Sequence, residues 1–412
     1  MTTKTIETDC CIAGGGPAGM MLGFLLARAG VRVTVLEKHA DFLRDFRGDT
    51  IHPSTLELMH ELGLLEEFLR LPHERVERLS GLVGKDRITI ADFTHLPTRC
   101  KFIALMPQWD FLDFLADHGR LYPAFDLRMR TEATGLIEEG GRVAGVTAVS
   151  PDGNLDIRAG LTIACDGRHS MLRAHAGLRS DDLGAPMDIL WFRMSRRDDD
   201  TADTFGHLEA GKLMVMLNRG DYWQCAYVIP KGGIDAVKAK GLAAFRDNVA
   251  FMAPFLRDRL GEIASWDDIK LLTVTVDRLR RWHRPGLLCI GDAAHAMSPV
   301  AGVGINLAIQ DAVATANILV EPLQRGAVND ADLAAVQARR MLPTRLTQWM
   351  QVQVQNNVLS PALAGTERPS APWPVKLFNV FPVLRRIPAR LVGLGVRPEH
   401  VRTPEQPVQA PR

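Results

Sequence analysis

The chain has 412 residues, 46% of them hydrophobic and 24% charged, which is enough to build more than one packed domain. Lys and Arg (49) nearly balance Asp and Glu (48), and the formal net charge of +1 gives no global field that would attract nucleic acid or an anionic membrane. The six cysteines form no CxxC pair, so the sequence predicts neither a disulfide framework nor a metal site. The polar start MTTKTIETD lacks the apolar segment of a signal peptide, and we expect a cytoplasmic protein without a transmembrane segment.

Alternating strand and helix patterns open the chain. Apolar residues 9–13 predict a strand, 18–29 a helix and 31–36 a second strand, which is the βαβ start of a parallel doubly wound sheet. The later segments are predicted as a helix at 53–71, short strands at 76–106, a helix at 107–121, longer strands at 189–194, 212–217 and 222–229, a buried strand at 287–290 and a helix at 305–320. The pattern indicates a discontinuous nucleotide-binding domain that contains a β-rich insertion.

A glycine-rich turn follows the first strand. In Gly14-x-Gly16-x-x-Gly19, the first glycine allows the tight turn, the second lets the backbone approach a pyrophosphate, and the third allows close helix–strand packing. Glu37, at the end of the second strand, is placed to accept hydrogen bonds from a ribose diol. Together these features predict dinucleotide binding, and a purely structural turn is the alternative.

Two further motifs each follow an apolar strand. Asp166-Gly167 is followed by basic residues, although Asp166 could equally be a helix N-cap. Gly291-Asp292 could hold a ribityl hydroxyl, and the segment from Pro299 opens a helix whose N–H groups could face a flavin ring. No catalytic residue is identified; His295 and Pro299 are weak candidates, and a structural role for His295 is the stronger alternative.

These three motifs, over residues 8–320, resemble the class A flavoprotein monooxygenases, the p-hydroxybenzoate hydroxylase-like family of FAD-dependent aromatic hydroxylases. The resemblance implies that the Asp166 motif serves FAD and NAD(P)H, that Asp292 holds the ribityl chain, and that Arg47 and Gln108 lie at the cofactor. The cofactor-binding residues expected from the turn, the acid and the resemblance are Gly14, Gly16, Gly19, Glu37, Arg47, Gln108, Asp166, Gly291, Asp292, Gly302, Gly304, Ile305 and Asn306.

The resemblance also implies a fold and a reaction. We expect an α/β fold with a Rossmann-like FAD-binding domain (GR2-type), an inserted β-sheet substrate domain and C-terminal helices. The expected division is FAD-binding domain at 1–75, 107–180 and 276–330, β-rich substrate domain at 76–106 and 181–275, and C-terminal helical region at 331–412. The implied activity is that of a monooxygenase that uses FAD, NADPH or NADH, and O2 to hydroxylate an aromatic or other planar small molecule through a flavin C4a-hydroperoxide.

The substrate pocket should lie between the β-rich insertion and the flavin. Alternate residues of its strands share one face, and the candidate wall residues are Trp191, Arg193, Met214, Met216, Tyr222 and Gln224. A dehydrogenase or reductase, a halogenase-like enzyme and a non-catalytic flavin-binding protein are the alternatives, although the halogenase Trp-x-Trp-x-Ile-Pro pattern is not met because residues 225–230 read CAYVIP. Whether the protein is a homodimer stays open.

Overall fold

The structure is a computed structural model that describes residues 3–43, 50–201, 204–371 and 373–407. Within these ranges the strands are β1 Lys4–Ala13, β2 Val33–Leu36, β3 Thr50–Ile51, β4 Glu74–Val76, β5 Arg78–Val83, β6 Asp86–Asp92, β7 Ile103–Leu105, β8 Phe125–Arg128, β9 Glu132–Glu139, β10 Arg142–Ser150, β11 Gly153–Ala164, β12 Ser180–Asp182, β13 Met187–Ser195, β14 Phe205–Glu209, β15 Lys212–Asn218, β16 Tyr222–Pro230, β17 Lys270–Leu272, β18 Asp277–Leu279, β19 His283–Arg284 and β20 Leu287–Cys289.

The helices in the same ranges are α1 Pro17–Arg28, α2 Pro53–Glu61, α3 Leu65–Phe68, α4 Gln108–Arg120, α5 Met171–His175, α6 Ile234–Ala239, α7 Gly241–Met252, α8 Val303–Gln324, α9 Asp330–Val354, α10 Ser360–Ala364, α11 Trp373–Val380 and α12 Arg386–Gly393. Short 3₁₀ turns lie at Phe93–His95, Pro254–Glu262, Trp266–Asp268, Gly291–Ala293, Val300–Gly302 and Pro382–Arg385, and one π-helical turn lies at Gln355–Leu359.

The first sheet has the strand order β19-β20-β11-β1-β2-β8 and carries β10 and β9 beyond β11. Strand β1 runs parallel to both of its neighbours, so that Ala13 lies opposite Ala164 of β11 and Leu36 of β2. Strand β20 is also parallel to β11 and places Cys289 opposite Ala164. The carboxyl ends of β1, β11 and β20 are therefore side by side, and ligands of open parallel sheets bind at this edge.

The second sheet is antiparallel except where β14 runs beside β5, and its order is β17-β13-β16-β15-β14-β5-β6. One face packs on α7 through a core that includes Phe192, Cys225 and Phe245. The opposite face carries Trp191 and Val215, and these residues pack against the same buried cluster as Val300 from the loop before α8. The α/β class, the parallel nucleotide-binding sheet, the inserted sheet and the C-terminal helices are as the sequence predicted.

Helix α8 lies in the core of the first domain against α1 and α9. The segment Val300–Gln324 is long and apolar enough to cross a membrane by composition, and 72% of its apolar window is buried inside the fold. Because burial against the parallel sheet already accounts for this apolar composition, α8 is a core helix.

Helix α9 begins at a capping box in which Asn329 and Asp332 each accept from the other's backbone N–H. The helix runs for 25 residues and passes directly into the π turn, after which α10 packs on the second sheet. The chain then returns to the first domain, where Arg28 binds the carboxylate of Glu405 at 2.9 Å. The C-terminal region is thus joined to both sheets.

Candidate functional site

The three glycines of the turn after β1 have different structural roles. A Cβ on Gly14 would lie 2.3 Å from the carbonyl oxygen of Cys165, and a Cβ on Gly19 would lie 1.9 Å from that of Gly14. A Cβ on Gly16 would meet nothing within 4 Å. Helix α1 begins directly after Gly16 and has no side-chain cap, so its first N–H groups face this open space. An anionic group of FAD fits there, because the space is free and the helix end attracts negative charge.

Glu37 lies beside this turn at the end of β2. One carboxylate oxygen accepts the N–H of Gly15 at 3.2 Å, and the other accepts the N–H of His39 at 3.0 Å. Glu37 is buried, so these two backbone contacts fix the carboxylate against the glycine turn. This is the position that a ribose diol would need when its pyrophosphate lies at Gly16.

The second and third motifs meet at the same edge. Asp166 follows β11 and accepts the backbone N–H of Leu172 at 3.2 Å. Burial raises the pKa of Asp166, and hydrogen bonds from Ser170 and the following backbone oppose this effect. Asp292 follows β20, and its carboxylate lies 3.7 Å from the guanidinium of Arg168. The fold therefore brings the Asp-Gly and Gly-Asp motifs together, although 126 residues separate Asp166 from Asp292.

A buried ion network lies behind the Gly-Asp motif. Asp311 of α8 accepts the N–H of Gly291 at 3.2 Å, the Nε2 of His295 at 2.5 Å and the Nε of Arg340 at 2.8 Å. Burial opposes ionisation of Asp311, but the His295 ring and the Arg340 guanidinium outweigh it and hold the pKa of Asp311 below its usual value. Arg340 also binds Glu399 at 3.2 Å. The network fixes the backbone that precedes Asp292.

The surroundings of His295 support a structural role for it, and the catalytic role stays an untested prediction. Its side chain is 1% exposed, its ring packs 5.0 Å from that of Trp282, and its Nε2 is bound to Asp311. A ring enclosed in this way has no path to a substrate proton. Pro299, the other candidate, is half-buried and accepts the N–H of Gly302 at 3.0 Å; its role stays a prediction.

The segment 299–305 is partly exposed and leads into α8, whose N-cap is Gly302. Gly302 has a φ of +63°, and a Cβ there would lie 2.4 Å from the hydroxyl of Thr50. The Gly302 carbonyl accepts that hydroxyl at 2.9 Å, which ties the start of α8 to β3. Gly304 and Ile305 follow in the first turn and stay predicted flavin contacts.

The side chain of Asn306 is held by protein partners on both of its polar atoms. Its Oδ1 accepts the N–H of His52 at 2.9 Å and the hydroxyl of Thr55 at 2.8 Å, while its Nδ2 donates to the carbonyl of Thr50 at 2.9 Å. Asn306 was expected among the cofactor-binding residues. The buried amide joins α8 to the β3–α2 connection, and the place of Asn306 at the cofactor stays a prediction.

Two further expected cofactor residues have different outcomes. Gln108 is the half-buried first residue of α4, and its place at the cofactor stays a prediction. Arg47 lies outside the residues that the structure describes.

The second sheet brings part of the predicted substrate wall together. Trp191, Arg193, Tyr222 and Gln224 occupy one face by the β13–β16 register, in which Arg193 lies opposite Gln224. The guanidinium of Arg193 stacks 3.7 Å from the centre of the Tyr222 ring, and Arg219 donates to Oε1 of Gln224 at 3.3 Å. This face is apolar at Trp191 and polar at its Tyr222 end.

Met214 and Met216 lie on the other face, so their assignment to the substrate wall is corrected. They pair with Tyr227 and Cys225, which point away from Trp191. Both methionines are fully buried in the core that includes Phe245 of α7. Even-numbered residues of β15 therefore face the helix, and odd-numbered Val215 shares the face of Trp191.

Several supporting residues were not identified from the sequence. Arg173 binds the carboxylate of Asp277 at 3.0 Å and the carbonyl of Ala293 at 3.3 Å, and so joins the second and third motifs. Asp311 binds Gly291, 20 residues away in the chain, and Arg340, 29 residues away. The available signal was a charged residue, Asp311, inside an otherwise apolar helix, because buried charges are paired.

A parallel sheet that gathers a glycine-rich helix start, a buried acid and two acidic motifs at one edge, next to an antiparallel sheet with an apolar face, is the architecture of an FAD-dependent oxidoreductase. Comparison with known proteins agrees. Residues 7–350 match the family model described as FAD binding domain. The chain is 34% identical over 386 residues to 6-methylpretetramide 4-monooxygenase of Streptomyces rimosus, covering 92% of each chain.

One more distant relative and one solved structure are also similar to the chain. Rifampicin monooxygenase of Streptomyces venezuelae is 28% identical over 311 residues, which are 74% of this chain and 62% of that protein. The crystal structure of PqsL, a probable FAD-dependent monooxygenase from Pseudomonas aeruginosa, superposes with a TM-score of 0.73 at 20% identity, covering 87% of this chain and 99% of that one. The chain belongs to the FAD binding domain family and is a class A flavoprotein monooxygenase.

Proposed function

We propose that this FAD-dependent monooxygenase inserts one oxygen atom into a multi-ring aromatic compound similar to 6-methylpretetramide, with NADPH or NADH as electron donor. The observation that carries the proposal is the juxtaposition of the apolar face of the second sheet with the loop before α8. Trp191 and Val215 of the sheet and Val300 of that loop all pack against one buried cluster, which includes Ala226 and Val228. A planar substrate on this face would lie against the segment that is proposed to hold the flavin ring.

The geometry of each motif supports its proposed cofactor role. The open space at Gly16 and the uncapped start of α1 would receive the pyrophosphate, and Glu37 would accept from the adenosine ribose. Asp292 and Arg168, 3.7 Å apart, form a charged pair at the ribityl chain. Bound FAD supplies electron transfer from the nicotinamide and activation of O2.

On the substrate side, the protein orients the substrate and excludes water. Trp191 provides a flat apolar surface, and aromatic ring pairs of this kind prefer offset or edge contacts. Gln224 and the Arg193–Tyr222 pair provide polar groups at one end of the same face, where they can bind substrate hydroxyl or carbonyl groups. We therefore propose that Trp191 sets the plane of the substrate and that the polar end sets its direction.

The division of the chain into domains also stays a proposal. Strands β5 and β6 pair with the second sheet, which supports placing residues from 76 onward in the substrate domain, but β4 and β7 join β3 in a small separate sheet. A homodimer would be checked by light scattering, and a cytoplasmic location by cell fractionation.

The reaction is tested with purified holoenzyme, NADPH or NADH, isotopically labelled O2 and a panel of multi-ring phenols that includes 6-methylpretetramide. We expect nucleotide oxidation that is faster with substrate and a product that gains one labelled oxygen atom. Nucleotide oxidation that leaves every panel compound without labelled oxygen contradicts the proposed substrate class. Oxidation of a compound without any oxygen gain would favour a dehydrogenase.

The substrate face is tested with a matched pair of tryptophan variants. Trp191→Ala should raise KM for the aromatic substrate while FAD content stays normal, because the side chain lies on the substrate face. Trp349→Ala is the control, since this indole is 60% exposed on α9. Equal KM values for the two variants would remove Trp191 from the substrate site.

A further inference from the structure

One side of α9 and of the π turn that continues it carries three buried glutamines, Gln348, Gln351 and Gln355, spaced by three and four residues. Their side chains are 0%, 4% and 0% exposed. This spacing places them on one helical face. We call them the glutamine ladder, and the surface they contact is the loop 296–300 that leads into the predicted flavin-contacting segment.

The glutamine ladder binds the polar atoms of this loop. Gln351 donates to the carbonyls of Ser298 at 2.8 Å and Val300 at 3.1 Å, and its Oε1 accepts the N–H of Ser298 at 3.2 Å. It therefore pairs with both backbone groups of Ser298, as a neighbouring β-strand would.

The two flanking glutamines extend the same contact. Gln348 donates to the carbonyls of Ala296 at 3.1 Å and Asp277 at 2.7 Å. Gln355 donates to the hydroxyl of Ser298 at 2.6 Å. The ladder thus reaches the loop at 296, 298 and 300.

The loop needs such partners because it is buried and belongs to no strand or regular helix between Ala294 and Pro299. A buried backbone carbonyl without a hydrogen bond is costly. Many loops meet this need with solvent, but the side chains of Ala296, Met297 and Ser298 are buried. The conformation of the loop is therefore held by α9 together with Asp277, whose carboxylate accepts the N–H of Ala296 at 3.0 Å.

We propose that Gln348, Gln351 and Gln355 are positioning residues that fix the 299–305 segment, and with it the N-terminus of α8, relative to the flavin. The inference rests on the proposed placement of the flavin ring at this segment. The positive end of a helix stabilises negative charge within about one turn. A displaced α8 terminus would consequently stabilise reduced, anionic flavin less well.

The test compares Gln351→Leu with Gln353→Leu in the holoenzyme. Gln353 lies on the same helix but is exposed and bonds to Asn357, so it is a matched control. For Gln351→Leu we expect a more negative flavin midpoint potential, measured by equilibration with a reference dye, and FAD binding weaker by about tenfold, as loss of a few hydrogen bonds implies. For Gln353→Leu both quantities should match the wild type.

A second pair of variants covers the case in which Gln351→Leu does not fold. Ser298→Ala and Gln355→Met each remove one partner of the same hydrogen bond and leave no backbone carbonyl unpaired. Each should make the potential more negative. The Ser298 hydroxyl also accepts the Val300 N–H at 3.4 Å, so Ser298→Ala should give the larger shift, and the double variant should shift the potential no further than Ser298→Ala does.

Unchanged potentials in the folded variants, or equal shifts in the Gln353→Leu control, would overturn the positioning role. A lower free energy of unfolding with an unchanged potential would also overturn it, since that result describes a purely structural contact. These potentials are measured without substrate. A failed substrate screen would contradict the proposed function and leave this result standing.

Discussion

Gly16 and Gly19 belong to one motif, yet the structure predicts opposite consequences for adding a side chain to each. At Gly16 a Cβ would meet no atom within 4 Å, and its φ of −76° and ψ of −176° suit any residue. At Gly19 a Cβ would lie 1.9 Å from the carbonyl oxygen of Gly14. Gly16→Val should therefore fold but lose FAD, whereas Gly19→Val should damage the fold itself.

The free-energy costs expected for the two substitutions differ accordingly. At Gly16 the main structural cost is the replacement of a favourable N-cap residue, about 1 kcal/mol. The valine would, however, block charge-assisted hydrogen bonds from the start of α1 to the pyrophosphate. Two such bonds contribute roughly 3–6 kcal/mol, or about 10²–10⁴-fold in affinity. At Gly19 the backbone must move by about 1 Å to reach ordinary contact, and overpacking of this kind costs roughly 1–3 kcal/mol or more.

The assay is the same for both variants: thermal unfolding of the apoprotein, followed by FAD titration monitored through flavin fluorescence. Gly16→Val apoprotein should melt close to the wild-type apoprotein and fail to bind FAD at concentrations that saturate the wild type. Gly19→Val should melt earlier or be insoluble. A yellow, stoichiometric Gly16→Val holoenzyme would refute the placement of the pyrophosphate at this turn.

Three further predictions concern charge. His52 is fully buried, and desolvation lowers its pKa to about 4 although the Val392 carbonyl opposes this. The neutral ring therefore contributes to the free energy of unfolding in full above pH 6.5, and this contribution is lost as pH falls toward 4. Between pH 7 and pH 5, urea unfolding should show the wild type losing about 2 kcal/mol more than His52→Gln. Asp311→Asn removes the charge that pairs His295 with Arg340 and should cost about 3–5 kcal/mol in the free energy of unfolding, while exposed Asp152→Asn should change it by less than about 0.5 kcal/mol; similar values for the two variants would contradict the network. Asp292→Ala should raise the dissociation constant of FAD by about tenfold with an unchanged apoprotein melting temperature, and an unchanged constant would remove its ribityl role.

The βαβ unit at the start of the chain could be predicted from the sequence, because its signals lie close to one another in the chain. The strand before Gly14, the helix after it and the acid at the end of β2 lie within about one βαβ unit, and their order alone predicts a dinucleotide site. Local rules were less successful at the predicted helix 53–71. The structure divides it into α2 and α3 around Gly63, whose φ of +75° ends the first helix.

The face of a strand was harder to predict than the strand itself. The sequence located β13, β15 and β16, but alternation fixes faces only within one strand. Trp191 and Met214 belong to different strands, and their relative sides depend on the register with β16. Because a shift of one residue reverses every side chain, Met214 and Met216 were assigned to the wrong face.

The residues that support the flavin site share a different property: each works across a long stretch of chain. Gln351 lies 53 residues from Ser298, and Arg340 lies 59 residues from Glu399. Inside one helix a glutamine or an arginine looks like any solvent-facing residue, and only the packing of α9 against α8 shows that it is buried. The cofactor motifs therefore identify the ligand, but the precision of the site depends on α9, which lies outside all three motifs. Because α9 is fixed to the Gly-Asp motif through Arg340 and Asp311 and to the adjacent loop through Gln351, changes in this helix should affect the flavin more than changes in equally distant exposed helices do.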